Sequence, residues 1–362
     1  MNSIAKNKII KKNELVPKQQ NKISKNNQRK FDIGLQILRV IICYFVIIAH
    51  FYNGHNSTII FRHIIALFRT HVSVFFILAF YFSYSTIISS NTLKLCERLK
   101  RLIIPYFSWP IIIWILNKFL PKDYKLSKCM SVEDLKYQLL YGVRFLSIFW
   151  FQWNLIMITI IFYLVFILFR QSSNFILIII GIFSFIYQYN GHNVLRFGAK
   201  IFEKKFTFGR MLEMYPMGMI GYLFAFTQIL NYFKKFRIKT FFVSILLIYF
   251  FQYHFVFMSV GGFGNQGIQR VIISILLFIL FAMFPSESIK NEKLLYFIKV
   301  ATNYTACVYY LHFVIPNYCR NFIPYNRKGT AFNCMIIYLI CYLLGMIGSY
   351  IFKKSSLIYL FQ

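Results

Sequence analysis

Acidic residues are scarce in this chain of 362 residues, and their scarcity excludes a large class of proteins. There are 10 Asp and Glu residues against 41 Lys and Arg residues, and charged residues make up only 14% of the sequence. A soluble domain of this size would have about a quarter charged residues. The net charge of +31 would suggest a nucleic-acid partner in a soluble protein. We expect none here, because the basic residues lie in short segments between apolar runs, a pattern that orients membrane proteins.

The few acids are also absent from the centre of the apolar runs, where Asp32 and Glu213 come closest to membrane depth. Ion-coupled transporters and pumps usually need carboxylates inside the membrane. Metal-using glycosyltransferases that act on lipid-linked sugars need acids in the first outer loop, and residues 51–71 contain none. The sequence therefore disfavours both classes.

Cysteine-rich motifs are likewise missing. The seven cysteines are scattered, with no CxxC pair and no spacing typical of metal ligands. We interpret them as small core residues, so we expect neither a disulfide framework nor a metal cofactor.

Long apolar runs, by contrast, fill the chain. Hydrophobic residues make up 58% of it, mean hydropathy is +0.58, and there are 44 Phe and 26 Tyr residues. A bilayer needs about 20 apolar residues per helix. We therefore predict an all-α integral membrane protein, a polytopic bundle of about ten transmembrane helices. The spans lie near residues 31–52, 72–89, 102–119, 147–169, 174–189, 212–230, 240–258, 270–284, 300–318 and 333–351.

The distribution of charge predicts the domains and the topology. Residues 1–30 contain nine basic residues and one glutamate, so we expect a disordered basic tail in the cytoplasm. Residues 31–354 form the transmembrane domain, and residues 355–362 a short C-terminal end. The segment Lys94–Arg101 is predicted to be a cytoplasmic loop. An even number of spans then places both termini in the cytoplasm.

An arginine and a histidine lie inside the first predicted span. His50 follows Arg39 by eleven positions. Eleven residues at about 100° each return the histidine to within about 20° of the arginine on the helix face, about 16 Å further along. A charge at this depth is costly unless it faces a polar cavity or a partner. The pair is a candidate site, with a snorkelling arginine and an interfacial histidine as the alternative.

A second basic pair precedes the third predicted span. Arg98 and Arg101 are three residues apart and share one helix face. Two arginines at a helix start can hold a phosphate through bidentate contacts. The alternative is plain topology, because cytoplasmic segments are rich in arginine.

Two further candidates stand in aromatic segments. His312 ends YTACVYYLH in the ninth predicted span, and Trp150 lies in FWFQWN at the start of the fourth. A lone histidine in a helix is often structural, and a tryptophan at a span end is often an interfacial anchor. The residues alone leave these alternatives open.

Taken in order, these segments resemble the acyltransferase-3 family of integral-membrane O-acyltransferases, which modify cell-envelope sugars in bacteria. The family has an arginine, ten residues and a histidine in its first span, then a paired phenylalanine, an Arg-x-x-Arg segment leading to a proline, a tryptophan-centred span start and a late Tyr-Leu-x-His-like segment. The matching residues here are Arg39, His50, Phe75, Phe76, Arg98, Arg101, Pro105, Trp150 and His312. The sequence departs from the pattern at Ala79 and Phe80, where the family usually has Ser-Gly.

The resemblance implies a reaction and a location. The chain is expected to be a transferase of groups other than amino-acyl groups, of the O-acetyltransferase type, in the bacterial cytoplasmic membrane. It would move an acyl group, acetyl being the expected one, from cytoplasmic acyl-CoA to a hydroxyl of a cell-envelope glycan or a lipid-linked sugar. His312 and Trp150 would bind substrate.

The resemblance also suggests roles for the other four residues. Arg98 and Arg101 would hold the phosphates of acetyl-CoA or another acyl-CoA. Arg39 would stabilise the thioester oxygen or the developing oxyanion. His50 would act as a general base on the acceptor hydroxyl or would take the acyl group covalently.

Two rival functions remain open at this point. A transporter or flippase of a lipid-linked or anionic solute would use Arg39 to bind its substrate without covalent chemistry. A glycan polymerase or ligase would use an arginine-rich outer loop, for which the basic segment 190–211 is the candidate.

Overall fold

The structure is a computed structural model that describes most of the chain. The described residues are 32–51, 64, 67, 70–89, 91–119, 131–141, 149–201, 206–257, 266–285, 289, 291–312, 314–318 and 331–361. The predicted basic tail of residues 1–30 lies outside them.

The described residues form helices and no strand, which confirms the all-α prediction. The helices are α1 (Ile33–Phe51), α2 (His71–Ile88), α3 (Thr92–Phe119), α4 (Val132–Tyr141), α5 (Trp150–Phe169), α6 (Ser173–Ile201), α7 (Phe206–Thr227), α8 (Ile229–Lys235), α9 (Arg237–Phe257), α10 (Gln266–Ala282), α11 (Glu292–Asn303), α12 (Thr305–Leu311), α13 (Ile315–Tyr318) and α14 (Ala331–Ile351), followed by a 3₁₀ turn (Ser356–Leu360).

Five of the described helices are long and apolar enough to cross a membrane. They are α1, α2, α3, α5 and α14. Shorter apolar stretches occupy Ser173–Tyr187 in α6 and Gln269–Ala282 in α10. Each predicted span overlaps a helix of the structure, whereas the count of ten spans and the cytoplasmic position of both termini stay predictions.

The segment 94–101, predicted to be a loop, is helical in the structure. It forms early turns of α3, which begins at Thr92. The side-chain oxygen of Asn91 accepts hydrogen bonds from the backbone N–H groups of Leu93 at 2.9 Å and Lys94 at 3.2 Å, and so caps the helix. The loop prediction was wrong because basic residues indicate the side of the membrane and not the backbone conformation.

The predicted ninth span, residues 300–318, is not one helix. α11 ends at Asn303 and α12 at Leu311. Pro316 then occupies the second position of α13, and because a proline has no N–H to donate to the carbonyl four residues earlier, α12 cannot continue through it. The prediction of a continuous helix was therefore wrong, and the break places His312 at the C-terminal cap of α12.

Close helix packing surrounds the first helix. α1 contacts α2, α10, α11, α12 and α14, and its Leu35, Leu38 and Ile42 are fully buried. α2 also lies against α7, where Gly221 faces the backbone of Ile77. Most of α1 therefore lies within the helix bundle, whereas its last turn, with His50, is exposed.

Replacing Gly221 with alanine is expected to destabilise the fold. The added methyl group would overlap the backbone carbonyl of Ile77, and backbone atoms cannot move aside as a side-chain end can. Overpacking of this kind costs about 1–3 kcal/mol. Helix propensity alone would make the alanine variant more stable by about 1 kcal/mol. A lower stability of the variant would therefore be due to the steric overlap. The measurement is the midpoint of thermal unfolding in detergent, followed by helical circular dichroism.

Gly218→Ala on the same helix is the matched control. Its added methyl group would meet the ring of Phe80 at 3.0 Å, and a side chain can shift by that small amount. We expect a smaller fall in the midpoint for this variant. Equal midpoints for Gly221→Ala and the unchanged protein would contradict the close approach of α2 and α7.

Candidate functional site

A cavity of about 690 Å³ lies among α1, α2, α3, α5 and α12. A volume in this range is typical of small-molecule and cofactor sites. The polar and charged side chains of its lining belong to Arg39, Ser83, Thr86, Lys94, Glu97, Arg98, Arg101, Gln152, Thr305, Tyr309 and Tyr310.

Positive charge dominates this lining. The four basic residues Arg39, Lys94, Arg98 and Arg101 accompany a single carboxylate, that of Glu97, so four positive charges and one negative charge leave +3. No ion pair between described residues involves Arg39 or Arg98. Cations without paired carboxylates in a partly enclosed site raise the local concentration of anions. The cavity is therefore suited to an anionic ligand.

Arg98 contacts both a hydroxyl and an aromatic ring. One of its terminal nitrogens donates to the Thr159 hydroxyl at 3.4 Å, and its guanidinium carbon lies 5.8 Å from the centre of the Phe80 ring. Its Nε is buried and has no hydrogen-bond partner within the described part of the chain. An unpaired buried donor is costly. An anionic ligand would supply the missing acceptor.

Arg101 lies further out and forms contacts with the C-terminal turn. Its side chain is 67% exposed and pairs with Glu97 at 3.5 Å. Its guanidinium carbon lies 5.9 Å from the centre of the Tyr359 ring, and the Tyr359 hydroxyl lies 3.5 Å from the Glu97 carboxylate. The indole N–H of Trp109 donates to the backbone oxygen of Leu360 at 3.1 Å. The C-terminal segment thus packs beside the charged part of the cavity.

Gln152 brings an amide into the middle of the cavity wall. Its Nε2 donates to the backbone oxygen of Leu102 at 2.5 Å and to the hydroxyl of Tyr310 at 2.8 Å. Because a backbone carbonyl can only accept, the amide nitrogen must face Leu102. The amide oxygen is buried and lacks a partner among the described residues. It is available to accept from a ligand N–H group.

Aromatic rings form one end of the cavity, near the start of α2. Phe75 lies 5.9 Å from Phe151 and 6.4 Å from Tyr309, and Phe151 lies 4.9 Å from Tyr309, all between ring centres. The Tyr309 ring also lies 5.8 Å from the ring of His312. Tyr309 therefore separates the cavity from that histidine.

The two candidate histidines meet on the other side of Tyr309. The ring centres of His50 and His312 are 5.2 Å apart, with the planes inclined by 35°. His312 is fully buried, whereas His50 is exposed at the end of α1. Neither ring belongs to the cavity lining. The uninterrupted helix α1 separates His50 from Arg39 by about 16 Å.

Trp150 forms a separate group at the start of α5. The guanidinium carbon of Arg210 lies 5.3 Å from its ring centre, a cation–π contact. Arg210 also pairs with Glu213 at 2.9 Å. The Trp150 ring lies 6.4 Å from Phe151, which does line the cavity. Trp150 is thus a neighbour of the aromatic cluster and not part of the cavity wall.

The structure therefore arranges the predicted site residues in three groups. The three arginines share one cavity, the two histidines contact each other, and Trp150 lies apart with Arg210. The sequence analysis did not identify Gln152, Tyr309 or Glu97. The sequence does contain a signal for Gln152, because an amide within the apolar segment FWFQWN is costly in a membrane helix unless it has a function or a partner.

The chemistry available to this arrangement follows from its parts. The basic wall can bind an anionic ligand, and the imidazoles beyond the aromatic cluster can transfer a proton or act as nucleophiles. In the described ranges, no group of three or more His, Cys, Asp or Glu side chains could hold a metal ion.

Comparison with known proteins identifies a family. The family model described as an acyltransferase domain matches residues 32–354, nearly the whole chain. The match confirms the resemblance found in the sequence. Comparisons with curated proteins and with solved structures each found no match.

Proposed function

The chain belongs to the acyltransferase-3 family, and from this premise we propose that it moves an acyl group, acetyl being the expected one, from cytoplasmic acyl-CoA to a hydroxyl of a cell-envelope glycan or a lipid-linked sugar. The observation that carries the proposal is a basic cavity with an aromatic end, beyond which two histidines meet. The proposal places the enzyme as a multi-pass protein of the bacterial cytoplasmic membrane, with the bilayer as its third partner.

The donor is assigned to the basic cavity. The phosphates of acyl-CoA would contact Arg98 and Arg101, and the +3 lining supports this assignment. Arg98 would form the stronger contact because it is partly buried and its Nε lacks a partner among described residues. The amide oxygen of Gln152 would accept a hydrogen bond from an amide N–H of the pantetheine arm.

Arg39 is assigned to the thioester oxygen or to the oxyanion that develops from it. Its place in the cavity wall supports contact with the donor, and a fixed guanidinium would stabilise negative charge on that oxygen. Arg39 and His50 are about 16 Å apart along α1, so both could contact one carbonyl only if their side chains extend towards each other. The proposal therefore requires contact between Arg39 and the donor, and does not require that His50 contact the same carbonyl at the same time.

The acceptor is assigned to the far side of the aromatic cluster. His50 and His312 would contact the acceptor hydroxyl there, and the exposed position of His50 supports access. Trp150 would bind a sugar ring on its flat face, beside the charged groups of Arg210 and Glu213. A hydroxyl-rich acceptor suits this combination of an aromatic face and hydrogen-bonding ends.

Two labels on one donor test the proposal. Acyl-CoA with one label in its acyl group and a second in its adenine is supplied to the cytoplasmic face of sealed vesicles that contain the protein and native envelope acceptors. We expect the acyl label to appear on glycan and the adenine label to stay in solution as CoA. The reason is that transfer breaks the thioester bond. Vesicles without the protein are the control.

The same experiment separates the rival function. Equal movement of both labels into the vesicle lumen would support a transporter of an anionic solute and would overturn the transferase proposal. A protein that is inserted normally but moves no acyl label, with donor and acceptors present, would contradict it as well.

A further inference from the structure

His312 lies at a helix break that orients its ring. It caps the C-terminus of α12, and its side chain is fully buried. Its Nδ1 lies 2.6 Å from the backbone oxygen of Tyr309. A backbone carbonyl can only accept a hydrogen bond, so Nδ1 must carry the proton and donate it. In the neutral ring the proton-accepting nitrogen is therefore Nε2.

This second nitrogen is unpaired among the residues that the structure describes. Nε2 of His312 is buried and makes no hydrogen bond to any residue that the structure describes. A buried acceptor without a partner costs about 1–3 kcal/mol. A structural histidine would gain stability by pairing both nitrogens. A buried acceptor without a protein partner is the feature expected of a group that receives a proton from a substrate.

The neighbouring ring is that of His50. Because the two ring centres are only 5.2 Å apart, an acyl group bound to His50 and a hydroxyl bound to His312 would be neighbours. A reacting atom should lie about 3 Å from both the nucleophile and the base. Two imidazoles at this separation can therefore divide the two roles between them.

We propose that His50 carries the acyl group and that His312 is the general base which activates the acceptor hydroxyl. This inference rests on the proposed acyltransferase function. It decides between the two roles that the sequence left open for His50, and it makes His312 a catalytic residue that contacts the acceptor.

The proposed reaction has two balanced steps. In the first, a ring nitrogen of neutral His50 attacks the thioester carbon, the C–S bond breaks, and the proton displaced from the imidazole leaves with CoA as its thiol. In the second, the acceptor oxygen attacks the acyl carbon while its proton passes to Nε2 of His312. The C–N bond to His50 breaks, and His312 returns the proton to the His50 nitrogen. Both rings end neutral, so no charge accumulates in the buried site.

The test measures the two steps separately in full-length protein in membrane vesicles. The first step is read as acyl label bound to protein and as CoA thiol released in the absence of acceptor. The second is read as label on acceptor glycan. The variants are His50→Ala, His312→Ala and His312→Asn, of which the last keeps a hydrogen-bonding side chain but cannot receive the proton.

The proposal expects an asymmetric result. Both His312 variants should form labelled protein and release CoA thiol as the unchanged protein does, but they should transfer label to the acceptor at least about 100-fold more slowly, the size of a general-base effect. His50→Ala should form no labelled protein. Hydroxylamine should release the label, because an acyl-imidazole is reactive.

Three results would overturn it. Transfer by His312→Asn at the normal rate would show that no proton passes through this ring. Loss of both steps in both His312 variants would assign His312 a structural role. Acceptor transfer without any labelled protein in the His312 variants would make His50 the base. If the unchanged protein itself moves no acyl label, the proposed function fails and this inference fails with it, whereas each of the three results above overturns the inference alone.

Discussion

Replacing His50 with alanine is expected to lower acyl transfer by at least about 100-fold and to leave the amount of inserted protein unchanged. His50 would supply either general-base catalysis or the covalent acyl carrier, and general-base catalysis alone contributes about 10²–10⁴-fold. The ring is exposed at the last turn of α1, so its loss leaves no large cavity in the core. The measurement is the rate of label transfer per inserted protein.

A matched histidine provides the control for this variant. His254 lies in α9, a helix that contributes no described residue to the cavity lining. His254→Ala should retain most of the activity. A transfer rate for His50→Ala within a few-fold of the normal rate would exclude both catalytic roles of His50 and would favour the transporter alternative.

Replacing Arg98 with alanine is expected to raise the KM for the donor by about 10–100-fold, with a smaller change in kcat. Hydrogen bonds to charged groups contribute about 1.5–3 kcal/mol, and Arg98 is partly buried with a buried Nε that no described residue accepts from. Arg98→Lys should recover only part of the affinity, because an ammonium cannot form a bidentate contact. The measurement is steady-state kinetics with acyl-CoA as the varied substrate.

The position of Arg101 predicts a weaker effect. Its side chain is 67% exposed and already paired with Glu97, and exposed ion pairs contribute little. Arg101→Ala should therefore raise KM by only a few-fold. Arg237→Ala, which removes an arginine from the start of α9 outside the cavity lining, is the control and should leave KM unchanged. Normal donor affinity after loss of both Arg98 and Arg101 would contradict the phosphate assignment.

Local sequence patterns located the long apolar helices but not all of their ends, and they did not predict the helix α4. Apolar runs near the bilayer thickness predicted α1, α2, α5 and α14 closely, because burying apolar surface determines where such a helix forms. The ends were misplaced where polar residues continue a helix, as in the first turns of α3 after the Asn91 cap. They were also misplaced where a proline interrupts an apolar run, as before Pro316.

Part of the candidate site could be predicted from the sequence. Helical spacing placed Arg98 and Arg101 on one face of a helix, and the depth of Arg39 in an apolar run indicated a polar cavity. Both arguments were possible because each concerns residues of a single helix. In the structure the three side chains line one cavity of about 690 Å³. Their binding of a donor stays a prediction.

The order of amino acids was enough to establish the all-helical character, the family and the residues with unusual charge at membrane depth. The contact of His50 with His312, the position of Tyr309 between this pair and the cavity, and the place of Gln152 in the cavity wall became visible only in the packed helices. The contacts of His50 with His312 and of Gln152 with Tyr310 join residues more than 150 positions apart. Helix periodicity orders side chains along one helix only, whereas contacts between helices depend on how whole surfaces pack.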